Sequence, residues 1–463
     1  MLTDNATDVS VYQIACPFNL KAEEKRESLI PADRLFEILL RHVLSYLSVQ
    51  ERWYRAFSFC KRWKMQCIES LYEEPYLDLM IPSHLKQITI ESNHVGDDAL
   101  KELTGCSQLE TLVLHCMRPE SSTMIKISNA CPLLCNVDIA GCLKMDDGAI
   151  LAIATNSRQM ETLNIATCYR LSSAAITSLA TRQSRTSIGL NADRCPQISG
   201  TSIRQLPEQQ PQMKHLSCTF CICILGRAFH SWQQHFPHRK DSTTGGLHSL
   251  CFTGHVAMDD LGLAAILKHY QSTLEILHVG TLPKTGPVSV QAIAHCRLIH
   301  TLDISRCARI TSNDFMTIIQ SCGPRLTSLN ADVCCQIDDR VLVCISHLCT
   351  KLECISLELC YNITDYGLIS LIGGCVYLKS LMLGTCSQLT DASFQYMTQH
   401  KAKEYPVEYL DIGSCMESEM LSNVIEMMQH RFLIVESFRH DKLNKMLLFL
   451  SNAHANFIYI SDH

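Results

Sequence analysis

Apolar and polar positions alternate along this chain with a fixed phase. In Leu352-Glu-Cys-Ile-Ser-Leu-Glu-Leu-Cys360, apolar residues stand at offsets 0, +3 and +5 from Leu352, and a cysteine at +8. Ile363 follows at +11, Asp365 at +13, Leu368 at +16 and Leu371 at +19, and Cys375 lies three residues before the next start at Leu378. The frame recurs with starts at Leu85, Leu109, Leu134, Met160, Ser187, Met213, Leu247, Leu274, Ile299, Leu326, Leu352, Leu378, Val407 and Leu433. Most steps are about 24–27 residues, the size of one supersecondary unit in a stacked repeat protein.

Each offset predicts an element. Positions 0, +3 and +5 predict a short strand and its lead-in, with successive strands stacked in a parallel sheet on a concave side. The +16 and +19 residues lie about one helical turn apart and predict the inner face of a helix on the convex side. Examples are Ile176 and Leu179, Ile203 and Leu206, Leu263 and Ile266, and Leu342 and Ile345. Asp147, Asp339, Asp365 and Asp391 stand just before that helix, where a carboxylate caps free N–H groups. One repeat cannot bury its own apolar face, so stability is expected to come from stacked neighbours.

The chain has 26 cysteines, and about half of them follow the frame. The +8 position is cysteine at 142, 168, 195, 221, 307, 334, 360, 386 and 415, and is Asn93, Met117, His255 and Leu282 in four other repeats. Cys106, Cys131, Cys296, Cys349 and Cys375 stand three residues before a start. A small, weakly donating apolar side chain suits an inward turn at the end of a strand. Stacked disulfides are the alternative, since parallel neighbours lie about 5 Å apart. The N-terminus, Met1-Leu-Thr-Asp-Asn, carries no basic or apolar export signal, which favours reduced thiols and the cytoplasm or nucleus. The pattern resembles the cysteine-containing subfamily of leucine-rich repeats. That resemblance implies an α/β solenoid, a leucine-rich repeat horseshoe, over 85–432, followed by a C-terminal cap over 433–463. In the cap, Leu443, Met446, Leu447 and Leu450 form an amphipathic stretch, and Phe457–Ile460 reads as one more strand.

The step from Met213 to Leu247 is longer than the others, which places an irregular insert near 219–246. Cys218, Cys221, Cys223, His230, His235 and His238 raise the question of zinc there. The Cys-to-His gap is shorter than that of a zinc finger, and Cys221 already serves as a +8 residue, so no metal is expected. Trp232 and Phe236, at helical spacing, are expected to pack on the solenoid.

Ahead of Leu85 the pattern changes. Residues 1–28 read as a loose polar leader. Within 29–72, Leu35, Ile38, Leu39, Val43, Leu44 and Leu47 have helical periodicity, and Ser48 with Glu51 forms a capping box for a second helix. A third helix would hold Cys60 and Trp63. The segments Ser45-Tyr-Leu-Ser48 and Cys60-Lys-Arg-Trp63 resemble an F-box, a small three-helix segment, although the span from Pro31 to Ser45 is longer than the family's. The resemblance implies a substrate-recognition adaptor of a Skp–cullin–F-box ubiquitin ligase. In it Pro31, Ile38, Leu39, Leu44, Leu47 and Trp63 would contact the Skp-type linker, and a protein substrate would sit on the repeats. The alternative is a scaffold unconnected with ubiquitin, in which the same helices merely cap the solenoid.

Composition narrows the classes further. A formal net charge of −6 argues against a general nucleic-acid binder. No apolar stretch reaches the ~18 residues of a membrane span. There is no Gly-rich phosphate loop, no HExxH and no G-x-S-x-G, so neither an enzyme nor a cofactor is expected. Substrate contacts are expected from the exposed strand face: Asp138, Asn164, Asp193, Arg194, Asp303, Arg306, Asp332 and Glu358, together with Asn191, Asn330 and Asp411. As a set they make a mildly acidic groove suited to a basic or mixed peptide. Taken singly, each also serves to solvate a strand. Tyr169 and Tyr361, just past the cysteine, are candidate rim anchors.

Overall fold

The structure, a computed structural model, describes residues 11–15, 85–91, 95, 97–115, 119–181, 189–230, 232, 246–400, 407, 409–412 and 433–434. The F-box-like segment, with Pro31, Ile38, Leu39, Leu44, Leu47 and Trp63, lies outside the described residues. So do His235, Phe236, His238, Cys415 and the expected strand at 457–460. The chain forms two compact units, Met1–Ile198 with Gln205–Gln210, and Ser199–Arg204 with Pro211–His463.

The first unit carries parallel strands β1 (Val11–Ala15), β2 (Gln87–Glu91), β3 (Thr111–Leu114), β4 (Asn136–Asp138), β5 (Thr162–Asn164) and β6 (Gly189–Asn191), each hydrogen-bonded to the next. Helices α1 (Asp97–Lys101), α2 (Ser121–Ala130), α3 (Asp147–Asn156) and α4 (Ser173–Thr181) alternate with them. Of helix α5 (Gly200–Gln209), the residues up to Arg204 are assigned to the second unit and those from Gln205 to the first. The second unit carries β7 (His215–Ser217), β8 (Ser249–Cys251), β9 (Ile276–His278), β10 (Thr301–Asp303), β11 (Ser328–Asn330), β12 (Cys354–Ser356), β13 (Ser380–Met382), β14 (Tyr409–Asp411) and β15 (Leu433–Ile434). All pair in parallel in chain order. Its helices are α6 (Asp260–Tyr270), α7 (Pro287–His295), α8 (Ser312–Cys322), α9 (Asp339–Leu348), α10 (Asp365–Gly374) and α11 (Asp391–His400). The fold is an α/β solenoid of the leucine-rich repeat type.

The register follows the frame. The +3 residues pair rung by rung, Leu112–Val137–Leu163–Leu190 in one unit and Leu277–Leu302–Leu329–Ile355–Leu381–Leu410 in the other. Each is buried. So are the +16 and +19 helix residues, including Ile176, Leu179, Leu342 and Ile345. Burying one such side chain stabilises by roughly 1.5–3 kcal/mol. At the last strand the phase slips: Leu410 pairs with Ile434, which sets the frame two residues earlier than a start at Leu433.

Two expectations about local structure are corrected. Val11–Ala15, inside the segment read as a loose leader, forms β1 and extends the sheet beyond β2. The +13 aspartates do not cap their own helices. The cap falls one residue earlier, on Asp146, Asp338 and Thr364. Asp147, Asp339 and Asp365 are instead first helical residues, and their carboxylates reach into the next repeat. Asp147 accepts from the Ser172 N–H at 2.8 Å, Asp339 from the Thr364 N–H at 2.8 Å, and Asp365 from the Thr390 N–H at 3.0 Å. Burial pushes the Asp365 carboxyl up, but the hydrogen bonds from Thr390 outweigh it and hold the group below its ordinary value.

In the repeat from Met213 one 3-10 turn, Gly226–Ala228, stands where a helix would begin. Trp232 is buried there, stacked on His269 at 4.9 Å between ring centroids and flanked by Phe229 at 5.7 Å. The turn lies against α6 so closely that a Cβ on Gly262 would come 2.6 Å from the Gly226 carbonyl oxygen.

Candidate functional site: the strand face and its loop edge

The site is built from the residues that end each strand. The +4 side chain accepts from the backbone N–H two residues on: Ala140 to Asp138 at 3.0 Å, Ala166 to Asn164 at 3.1 Å, Asp193 to Asn191 at 2.9 Å, Ser305 to Asp303 at 2.9 Å and Asp332 to Asn330 at 3.0 Å. This is the Asx-turn geometry that makes Asp and Asn favoured where a strand must stop. One oxygen of each group is thereby used in ending its own strand.

The +7 residue then turns left-handed. Gly141, Thr167, Arg194, Phe220, Gly254, Thr281, Arg306, Val333, Leu359 and Thr385 all have φ between 54° and 83°. In most repeats this residue is not glycine, so conformational ease does not explain it. Its N–H does: Thr167 donates to the Asp193 carbonyl at 2.8 Å, Arg306 to Asp332 at 2.8 Å, and Val333 to Glu358 at 2.7 Å. Gly141, Phe220, Gly254, Thr281 and Leu359 are tied to the next repeat in the same way.

The +8 thiol completes the joint. Cys168 donates to the Ile139 carbonyl at 3.2 Å, Cys195 to Ile165 at 3.2 Å, Cys334 to Ile304 at 3.3 Å and Cys386 to Leu357 at 3.1 Å, each acceptor at +5 of the preceding repeat. Burial pushes the Cys168 and Cys360 thiols up to about 12. They are donors held in the protonated form, unsuited to nucleophilic attack. At His255 an imidazole replaces the thiol. It is buried, its Nδ1 lies 3.0 Å from the Cys221 carbonyl oxygen, and burial depresses its pKa to about 4.

The structure brings the sequence-predicted residues together in two groups. In the first unit Asn164 Nδ2 donates to Asp138 at 3.0 Å, Asn191 Nδ2 donates to Asn164 at 2.7 Å, and His115 lies 3.2 Å from Asp138. Asp193 is buried and Arg194 half-buried on the next rung. In the second unit Asp303, Asp332 and Glu358 occupy consecutive repeats. Burial raises the Asp303 carboxyl, but His278, 3.8 Å away, and Ser305 hold it below the ordinary value. Asp332 accepts from the Ser356 hydroxyl and from the Glu358 N–H at 2.9 Å. Burial, aided by the charges of Glu358 and Asp303 and opposed by the Ser356 hydroxyl, pushes its pKa up to about 7. Arg306 stands exposed on the loop beside them.

Around the insert, His230 Nε2 contacts both oxygens of Asp259 at 2.8 and 2.9 Å, Cys218 and Cys221 are buried, and Cys223 is exposed. Among the described residues no cluster of His, Cys, Asp or Glu has the geometry of a metal site. No described helix is long and apolar enough to cross a membrane.

Along the loop edge, the sequence pointed to Tyr169 and Tyr361, which are exposed, and to Arg194 and Arg306, but it missed Phe220, Ile222 and Val256, which are exposed there as well. The available signal was the apolar residue that follows many +8 positions, as at Tyr169, Ile222, Val256, Pro283 and Tyr361, with a basic residue next at Arg170, Lys284 and Arg309.

No family model matches the sequence, and no curated protein matches it. Among solved structures the chain is similar to one in the crystal structure of the Rad7 and Elc1 complex in yeast, with a TM-score of 0.49 and 15% identity over 88% of this chain and 91% of that one. It is also similar to the leucine-rich repeat-containing protein LegL7 from Legionella pneumophila, with a TM-score of 0.36 and 11% identity over 73% of this chain and 94% of that one. Likeness at this level assigns no function.

Proposed function

We propose that the chain is the substrate-recognition adaptor of a Skp–cullin–F-box ubiquitin ligase, working in the cytoplasm or nucleus. One conjunction carries the reading: Ser45-Tyr-Leu-Ser48 and Cys60-Lys-Arg-Trp63 stand directly ahead of repeats with cysteine in fixed register. Pro31, Ile38, Leu39, Leu44, Leu47 and Trp63 bury apolar surface against the Skp-type linker. A protein substrate rests on the repeats, against Asp138, Asn164 and Arg194 in the first unit and Asp303, Arg306, Asp332 and Glu358 in the second; Asp193, expected on the same face, is buried and makes no such contact. Tethering raises the concentration of substrate lysines near the ubiquitin-loaded enzyme and makes transfer nearly intramolecular. The chain itself contributes position, not reacting groups.

The test is co-purification of a Skp-type linker and cullin with the full chain and with Leu44→Asp and Trp63→Ala variants. Placing a charge in a buried apolar contact lowers recovery about tenfold or more. Equal recovery with the variants, or none with the wild type, overturns the reading. Point variants serve better than a chain starting at Ile81, which would also lose β1 and bare the edge of β2. One observation favours a second reading, a scaffold unconnected with ubiquitin: β1 adds to the sheet edge, as a terminal cap does.

A further inference from the structure

We infer that the loop edge of the second unit binds a protein segment in which an apolar residue adjoins a run of acidic side chains. Phe220, Ile222 and Val256 are 45%, 70% and 60% exposed. They come from two adjacent loops held in register, with His255 Nδ1 3.0 Å from the Cys221 carbonyl oxygen and the Gly226 N–H donating to the Ala257 carbonyl at 3.4 Å. Ile222 and Val256 each follow the buried +8 residue, so they stand side by side. The Phe220 ring lies over Gly254, where a Cβ would come 2.4 Å from a ring carbon. It is therefore a fixed platform. Pro283, exposed at the same +9 position, continues the row into the third loop.

Beyond that proline the edge becomes basic. Lys284, Arg306 and Arg309 are exposed. Lys284 and Arg309 occupy the same +10 position in neighbouring repeats, whose loops are joined by the Thr281 N–H donating to the Ser305 carbonyl at 2.7 Å. Stacked backbones at about 5 Å bring the three cations within reach of one short acidic stretch. Among the described residues none of the three forms an ion pair. The nearby carboxylates are engaged on the strand side, Asp303 with Ser305 and His278, and Asp332 with Ser356 and the Glu358 N–H. In a chain of net charge −6, unpaired cations beside exposed apolar side chains mark a surface complementary to an anionic, apolar-anchored partner. This differs from the basic or mixed peptide expected for the strand face, and it assigns the acidic partner to the rim.

The inference rests on the repeats being a protein-binding surface and is independent of the linker. The probe is a fluorescein-labelled peptide of two leucines followed by a run of glutamates, titrated with the full chain and followed by anisotropy. Saturable binding is expected, weakened by added salt. The paired change Arg306→Glu with Arg309→Glu, and separately Ile222→Ser with Val256→Ser, should each weaken it about tenfold. All four side chains are solvent-facing, so the circular dichroism melting curve should not move. Three results would overturn the proposal: no binding by the wild type, equal binding by the variants, or equal binding of a peptide with lysine in place of glutamate. Tighter binding of a thymidine oligonucleotide would also overturn it, because the surface would then read phosphate alone. Failure here leaves linker capture untouched, since no linker is present in the titration.

Discussion

At the scale of single residues, the cysteine frame has a specific chemical reason. The strand ends at +4, and the backbone turns left-handed at +7, so the +5 carbonyl of the preceding repeat, which at Ile139, Ile165 and Leu357 already accepts the +8 N–H of its own repeat, is left open to a second donor from the side. A thiol at +8 reaches it without the bulk of a longer side chain or the desolvation cost of a stronger polar group. The same economy leaves Asp332 with a carboxylate that is half-buried and served by two donors beside other acidic groups. Its folded-state pKa, about 7, lies above the ordinary carboxylate value. The folded state therefore holds that proton more tightly than the unfolded chain. The resulting stability is complete below about pH 4 and is lost as pH rises through 7. Asp332→Asn keeps an oxygen for Ser356 and the Glu358 N–H and carries no charge. Urea unfolding should show the variant more stable than wild type at pH 8, by roughly 1–2 kcal/mol after solvent screening, and little changed at pH 4. An unchanged difference between the two pH values would contradict the origin given for the shift.

At the scale of elements, repeats within a unit are joined on both sides, as at Asp339 and Val333. The strand side has the turn N–H and the thiol. The helix side has the N-terminal aspartate bonded to the next repeat's cap, as in Asp339 with Thr364. Helices must then approach closely, and small residues mark the contacts. A Cβ on Gly374 would come 2.2 Å from the Ser346 carbonyl oxygen, whereas one on Gly105 would meet nothing within 4 Å. Gly374→Ala is expected to destabilise by about 1–3 kcal/mol, because backbone has to move. Gly105→Ala should be neutral or stabilising by up to about 1 kcal/mol, through the unfolded state. Denaturant midpoints compare the pair directly, and similar values would show that helix spacing is looser than described.

At the scale of the whole molecule, stability in each unit is a sum over neighbours. The proposed linker capture and the proposed acidic-peptide capture would use different segments, 29–72 and the loops at 220–309. They should therefore vary independently. Arg306→Glu with Arg309→Glu should leave linker recovery within about twofold of wild type, and Leu44→Asp should leave peptide affinity within about twofold. Co-purification and anisotropy on the same three preparations, wild type and the two variants, check this, and loss of both activities in either variant would count against separate surfaces.

The repeat, its strands and its inner helix face were legible in the linear sequence. Buried apolar positions recur with the periods of strand and helix, and cysteine marks the turn between them. The starts at Ser187 and Met213, where the consensus is weakest, still fall two residues before β6 and β7. What the sequence could not specify was the partner of each polar group. Asp147, Asp339 and Asp365 looked like caps of their own helices because capping is local, whereas their bonds run to residues about one repeat away. The left-handed +7 turns carried no glycine signature, because the bond that holds them comes from the neighbouring repeat. The rim of Phe220, Ile222, Val256, Lys284, Arg306 and Arg309 is likewise a juxtaposition of four successive loops. Periodicity along a chain encodes which face is buried. Contacts across repeats, and so the identity of a surface, exist only once the repeats are stacked.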